Sequence, residues 1–255
     1  MAPPPLIIHP GFHRTGTTAI QHALDANSAA LVPWRVLLKR DIPELCAAAR
    51  DHARRPGGTS LARFTAVAAA LAREQPTPTL ISAEDLCGLI PGRKGRRGYP
   101  AAAALLAALI DALPGYVPQI YLTTRAPDDW LKSCHAHHLR HTRHTDDLAT
   151  YRAQQAGAEP EMMALDIAAQ LGPVPVTIVA LHTTAALPHG PLTPLLDLMH
   201  IPQTTRDGIR PVPRANAALP THLLDALLEL NQSDLNPETL AIRKRALIAD
   251  YRRNA

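Results

Sequence analysis

Cysteine is scarce in this chain. Its 255 residues include three, Cys46, Cys87 and Cys134, an odd number spread far apart. That excludes a disulfide framework and the close pairing of a zinc ribbon, and reads as reduced thiols in a cytoplasmic protein. Glycine, at 13, and proline, at 25, together stay below the share that marks a low-complexity chain. Charge of one sign is also in short supply. The formal net charge is +4, less than a nucleic-acid binder concentrates, so no nucleic-acid partner is expected and a basic groove for a small polyanion is explanation enough. No apolar run is long enough to span a membrane, and Met1-Ala2-Pro3-Pro4-Pro5 lacks the basic and apolar segments of a signal peptide. What is present is a globular composition with 46% hydrophobic residues, able to bury a substantial core. No internal repeat or linker divides it, so a single domain over 1–255 is expected.

Short apolar runs alternate with helical patterns. Leu6-Ile7-Ile8, Thr79-Leu80-Ile81-Ser82, Ile120-Tyr121-Leu122 and Val176-Thr177-Ile178-Val179 have the form of buried parallel strands. Between them, Leu61, Phe64, Val67, Ala68 and Leu71 repeat at helical spacing, and Ala101 to Leu113 is alanine-rich and closed by Pro114-Gly115. A helix over Tyr151–Leu171 is expected to face inward with Met162, Leu165 and Ala169, and two terminal helices carrying Leu223, Leu227, Leu240 and Ile248 are expected to pack on the sheet. The fold class is therefore α/β, a three-layer, P-loop-like arrangement with a mainly parallel sheet flanked by helices.

The first strand runs into Gly11-Phe12-His13-Arg14-Thr15-Gly16-Thr17-Thr18, a glycine-bounded loop that opens a helix. Amide N–H groups of a first helical turn lack intrahelical partners, and the macrodipole is positive there, so phosphate or sulfate is attracted. Arg14, Thr15, Thr17 and Thr18 add charge and hydroxyls, and His13 is a candidate sulfate contact. The glycine spacing matches an ATP-binding P-loop, yet Thr17 stands where that motif needs lysine. A plain strand-turn-helix connection is the competing explanation.

Two further elements carry chemistry. After the second predicted strand come Glu84 and Asp85, placed at the carboxyl end where open α/β sheets bind ligands; a carboxylate there is either a general base or a cap for the next helix. After the third, Arg125 ends a strand and Ser133 follows two helical turns along, a guanidinium fork and a hydroxyl suited to a phosphate. The basic loop Arg93-Lys94-Gly95-Arg96-Arg97 is either solvated or able to close over an anion. His135 to His144 is rich in histidine; on a continuous helix His137, His141 and His144 would share a face, as in a zinc site, but an exposed helix near an acceptor entrance is the preferred reading, and no metal is assigned.

His13-Arg14-Thr15-Gly16-Thr17-Thr18, followed by Ile20-Gln21, resembles the 5′-phosphosulfate loop of sulfotransferases that use 3′-phosphoadenosine 5′-phosphosulfate (PAPS), in the bacterial type. The family usually has lysine where this chain has Arg14, which keeps charge but cannot donate a proton as lysine can. The resemblance implies that His13, Arg14, Thr15, Gly16, Thr17 and Thr18 hold the phosphosulfate and that Arg125 and Ser133 hold the 3′-phosphate. It also implies that Glu84 is the base and Arg14 the catalytic cation, with no metal required. Arg214, within Arg214-Ala215-Asn216-Ala217-Ala218-Leu219, resembles a late segment that closes on the nucleotide. The implied partners are the nucleotide and an acceptor hydroxyl or amine on a carbohydrate, lipid or small molecule. A nucleotide or small-molecule kinase and a non-catalytic nucleotide-binding relative are the alternatives.

Overall fold

The computed structural model describes residues 2–72, 75–210 and 219–254, with Asn254 described in its backbone alone. Five strands form one all-parallel sheet: β1 (Pro5–His9), β2 (Arg35–Leu38), β3 (Thr79–Ser82), β4 (Val117–Thr124) and β5 (Val176–Ala180), in the order β2-β3-β1-β4-β5. Four were predicted. The fifth, β2, is an edge strand of four residues, three half-buried and Leu38 buried, which its short pattern did not single out.

Helices α1 (Thr17–Ala26), α2 (Pro43–Arg54), α3 (Gly58–Ala69), α4 (Ala102–Asp111), α5 (Pro127–His141), α6 (Leu148–Gln154), α7 (Pro160–Leu171), α8 (Thr193–Leu198), α9 (Gln203–Arg206), α10 (Thr221–Gln232) and α11 (Pro237–Asn254) complete the described elements. Strand side chains alternate between faces, and the core divides accordingly. Leu6 and Ile8 join α2, α3, α4 and α7 on one face, while Ile7, Leu80 and Tyr121 meet α1 and α8 on the other. Each fully buried Leu or Ile contributes roughly 2 kcal/mol. This is the three-layer α/β architecture that the patterning predicts.

Three packing expectations are corrected. In α7, Met162 and Leu165 are exposed while Ala164, Ile167 and Leu171 are buried, because the helix begins at Pro160 and turns that stripe toward α4 and β4. Helices α10 and α11 pack on each other, and α10 on α5, tied there by Asn231 Nδ2 donating to the Leu139 carbonyl at 3.2 Å; they extend the helical layer instead of covering the sheet. The histidine-rich stretch is not one helix, since α5 ends at His141 with Thr142 extended. His135, His138 and His144 close around Tyr151, with ring centroids 5.5, 5.8 and 5.6 Å from it. His137 contacts His141 and, edge-on, His138, and His135 and His138 are buried.

Candidate phosphate-binding site

Every strand points its carboxyl end at the same crevice. The connection from β1 leads toward one edge of the sheet and those from β3 and β4 toward the other, which makes the end of β1 a topological switch point. The loop 10–16 leaves β1 there, Glu84 follows its neighbour β3, and Arg125 follows its neighbour β4. The edge strands add Lys39 after β2 and Leu181 after β5.

The loop is shaped by its glycines. Gly11 has φ +52°, and a Cβ there would collide with Thr17 Oγ1; Gly16 has φ +95°, and a Cβ would lie 2.8 Å from Leu181. Both carry left-handed backbone that other residues adopt at a cost. Under the loop sits His9, fully buried, with Nδ1 2.8 Å from Ser82 Oγ and Nε2 without a hydrogen-bond partner. Burial drives its pKa down to about 4, so it is a neutral strut. The amides of Ala19 and Ile20 both return to the Gly16 carbonyl, leaving those of Gly16, Thr17 and Thr18 ahead of the first intrahelical bond. No side chain caps that end.

A cavity of about 270 Å³ opens over those amides, lined among others by His13, Arg14, Thr17, Thr18, Glu84 and Arg125. Gly16, Ser133, His137 and Leu181 complete most of its wall. A second space, about 440 Å³, adjoins it and shares Arg14, Arg125, Ser133 and His137. Arg14, itself at φ +70°, donates through Nε to Ser133 Oγ at 2.9 Å. Burial, together with Arg125 across the cavity, lowers its pKa. Arg125 has no hydrogen bond or ion pair among the described residues. Two guanidiniums therefore face one space with no carboxylate bound to either, an arrangement that an anion with more than one phosphate or sulfate would neutralise.

His13 is fixed on three sides. Its N–H donates to Tyr99 Oη at 2.8 Å, its Nδ1 lies 3.2 Å from the same oxygen, and Trp130 Nε1 donates to its carbonyl at 3.0 Å. With Tyr99 Oη accepting from the backbone, its own proton is free to go to Nδ1, which puts the imidazole proton on Nε2 as a donor. Burial lowers the His13 pKa to about 4.

Glu84 lines the cavity but is engaged. Lys39 Nζ is 2.9 Å from Oε1 and Gln21 Nε2 is 3.3 Å from Oε2. Burial pushes its pKa up, but Lys39 and His13 outweigh this and hold it at about 2. Asp85 is 3% exposed and paired with Arg50 at 2.6 Å and Lys39 at 2.8 Å; it is part of the scaffold, outside the cavity wall.

Of the residues singled out in the sequence, His13, Arg14, Gly16, Thr17, Thr18, Glu84, Arg125 and Ser133 come together. Thr15 does not: it is buried, its Oγ1 donating to the Phe12 carbonyl at 2.7 Å and lying 2.9 Å from Thr123 Oγ1, so it braces the loop against β4. Arg214 lies outside the described residues. The basic loop is also elsewhere, with Arg96 donating to the Arg54 carbonyl and Pro91 held by Tyr151 and His138; Arg93, Lys94, Arg96 and Arg97 are absent from the described cavity wall. Sequence reading missed Lys39 and Leu181, and included Gln21 in the loop motif without its contact to Glu84. For Lys39 a signal existed, since Val36-Leu37-Leu38 is a short apolar run ending in cations.

No family profile matches the chain, and no curated protein does. Among solved structures, a sulfotransferase from Alicyclobacillus acidocaldarius overlays with a TM-score of 0.46 at 16% identity, covering 92% of this chain and 98% of that one.

Proposed function

We propose that the protein transfers a sulfuryl group from PAPS to an acceptor hydroxyl or amine. The observation that carries this reading is the convergence of Arg14, Arg125 and Ser133 on one cavity above the amides of Gly16, Thr17 and Thr18. A nucleotide with anionic groups at both its 5′ and 3′ positions needs two such grips. PAPS supplies the activated sulfuryl group. The amides of Gly16–Thr18, the Thr18 hydroxyl and His13 Nε2–H would bind the phosphosulfate oxygens, and Arg14 would neutralise charge building on the leaving phosphate. Arg125 and Ser133 would hold the 3′-phosphate and so keep the reacting centre in line with the acceptor. Glu84 would accept the acceptor's proton.

A carboxylate held at about 2 is a weak base. Release from Lys39, on acceptor binding, would restore its basicity. The same pair favours a second reading, a relative that binds the nucleotide without turnover. A kinase would place lysine at position 17 and a free strand-end carboxylate for magnesium, whereas Thr17 occupies the loop and Glu84 and Asp85 are both ion-paired.

A thermal-shift series with adenosine 3′,5′-bisphosphate, ATP–Mg²⁺ and AMP tests the proposal. The bisphosphate is expected to raise Tm well beyond AMP. Stabilisation by ATP–Mg²⁺ alone would overturn it. Bisphosphate binding with no sulfuryl transfer to any of a panel of hydroxyl and amine acceptors would leave the non-catalytic reading in its place.

A further inference from the structure

A further cavity borders the second space of the crevice, sharing Arg140 with it. It is an open groove of about 910 Å³ between the last turn of α5 and one face of α11, within the size range of small-molecule sites. Arg140, Arg143, Lys244, Arg245 and Arg252 line it, and no Asp or Glu does among the described residues. Its floor is apolar, built from Leu240, Ile248 and Ala249, which recur along α11 at helical spacing.

The charges there are poorly satisfied. Lys244 is 5% exposed, and its ammonium meets only neutral oxygens, the Thr142 carbonyl and Asn231 Oδ1, each at 2.9 Å. Burial and nearby Arg143 lower its pKa to about 8. Arg140 Nε is buried without an acceptor, Arg143 donates to the Ser233 and Leu235 carbonyls, and Arg252 has no hydrogen bond or ion pair among the described residues. Lys244, a buried cation without an anion, is costly unless something completes it, and the half-buried or exposed arginines around it add attraction for an anion. A bare inorganic anion would answer the charge and leave the apolar floor wet; a purely apolar ligand would do the reverse.

From this charged rim and apolar floor, we infer that the α5–α11 groove binds an anionic amphiphile, a phosphate, sulfate or carboxylate head on an aliphatic body. The head sits among Arg140, Lys244 and Arg252, and the body lies along Leu240, Ile248 and Ala249. The groove meets the second space of the crevice at Arg140, which lines both, but the inference does not rest on the proposed sulfuryl transfer.

Calorimetric titration of the full chain with decyl phosphate below its micelle concentration, beside decanol and inorganic phosphate, tests this. Decyl phosphate is expected to bind at least tenfold more tightly than either control. Arg245→Glu and Arg252→Glu, both on exposed positions of α11, are expected to weaken it at least tenfold, while Arg125→Ala retains it. Four results would overturn the inference: equal binding of inorganic phosphate, equal binding of decanol, loss in Arg125→Ala with retention in Arg252→Glu, or binding to anionic vesicles with none to the monomeric amphiphile.

Discussion

Arg14 carries three burdens at one position: a left-handed backbone, a hydrogen bond to Ser133 and a charge facing Arg125. A left-handed conformation costs an ordinary L-residue ~1 kcal/mol or more, which marks the loop as shaped for binding at the expense of stability. Arg125 bears no such structural duty. Arg125→Ala is therefore expected to weaken adenosine 3′,5′-bisphosphate at least tenfold with Tm unchanged, measured by titration and thermal unfolding; unchanged affinity would remove the second phosphate grip. For Glu84, the isosteric Glu84→Gln is expected to keep nucleotide binding and lose turnover. Full activity in that variant would assign the proton transfer to another group, such as one of the two histidines in the cavity wall, His13 or His137. Lys39→Ala makes the complementary case. Without its ammonium the Glu84 pKa rises, so the acid limb of the pH–rate profile is expected to move up, into the range of ordinary carboxylates; an unmoved limb would show that Glu84 does not govern it.

At the scale of elements, the β1–α1 junction determines what the site can bind. Its first-turn amides are free because Gly16 turns the chain and no side chain caps the helix, and Gly11 leaves room for Thr17. Gly11→Ala is expected to destabilise the fold by about 1–3 kcal/mol through backbone strain and collision with Thr17, read as a lower Tm. Nucleotide affinity should fall with it, because the amides move. Loss of neither would mean the loop tolerates a Cβ by shifting. This junction was legible in the sequence because everything that defines it is local: a strand, two glycines, and hydroxyls within one turn. Strand β2 was not legible, since four residues at a sheet edge, three half-buried and one buried, are too few to show a period. The facing of α7 was not legible either, because Met162 and Ile167 are equally apolar and only the neighbours of the helix choose between them.

Across the whole molecule, stability is tied to neutral histidines, with His9 and His138 buried and His13 and His137 half-buried in the cavity wall. His9, His13 and His138 have folded pKa values near 4 and His137 near 3, each lowered by burial. A group whose folded pKa lies below its unfolded value of 6.5 binds more protons when unfolded, so stability falls as pH drops from about 6.5 toward 4 and is level above. His9, fully buried, contributes on the order of 3 kcal/mol to that slope. Urea midpoints are expected to change little between pH 6.5 and 7.5, below the range where deprotonation of Lys244 at about 8 adds stability, and to fall steadily from pH 6 to 4.5. A flat profile over the lower range would show that these imidazoles are hydrated. Glu84, whose pKa is depressed, adds stability that is lost only at more acid pH, below its unfolded value of 4.5.

The sequence by itself determined the local chemistry: four of five strands, the glycine loop with Arg14, the strand-end arginine with its serine, and the acidic pair after β3. These are encoded by neighbours within a few residues, where periodicity and backbone preference act. Only the tertiary structure decided which of them meet. The order β2-β3-β1-β4-β5 sets Glu84 and Arg125 on either side of the glycine loop, brings Lys39 onto Glu84, withdraws Asp85 and Thr15 into the scaffold, and carries the basic loop away from the cavity. Each of those outcomes depends on contacts between segments dozens of residues apart, absent from any local pattern: the approach of Lys39 keeps Glu84 ionised against its burial, and burial keeps the histidines neutral.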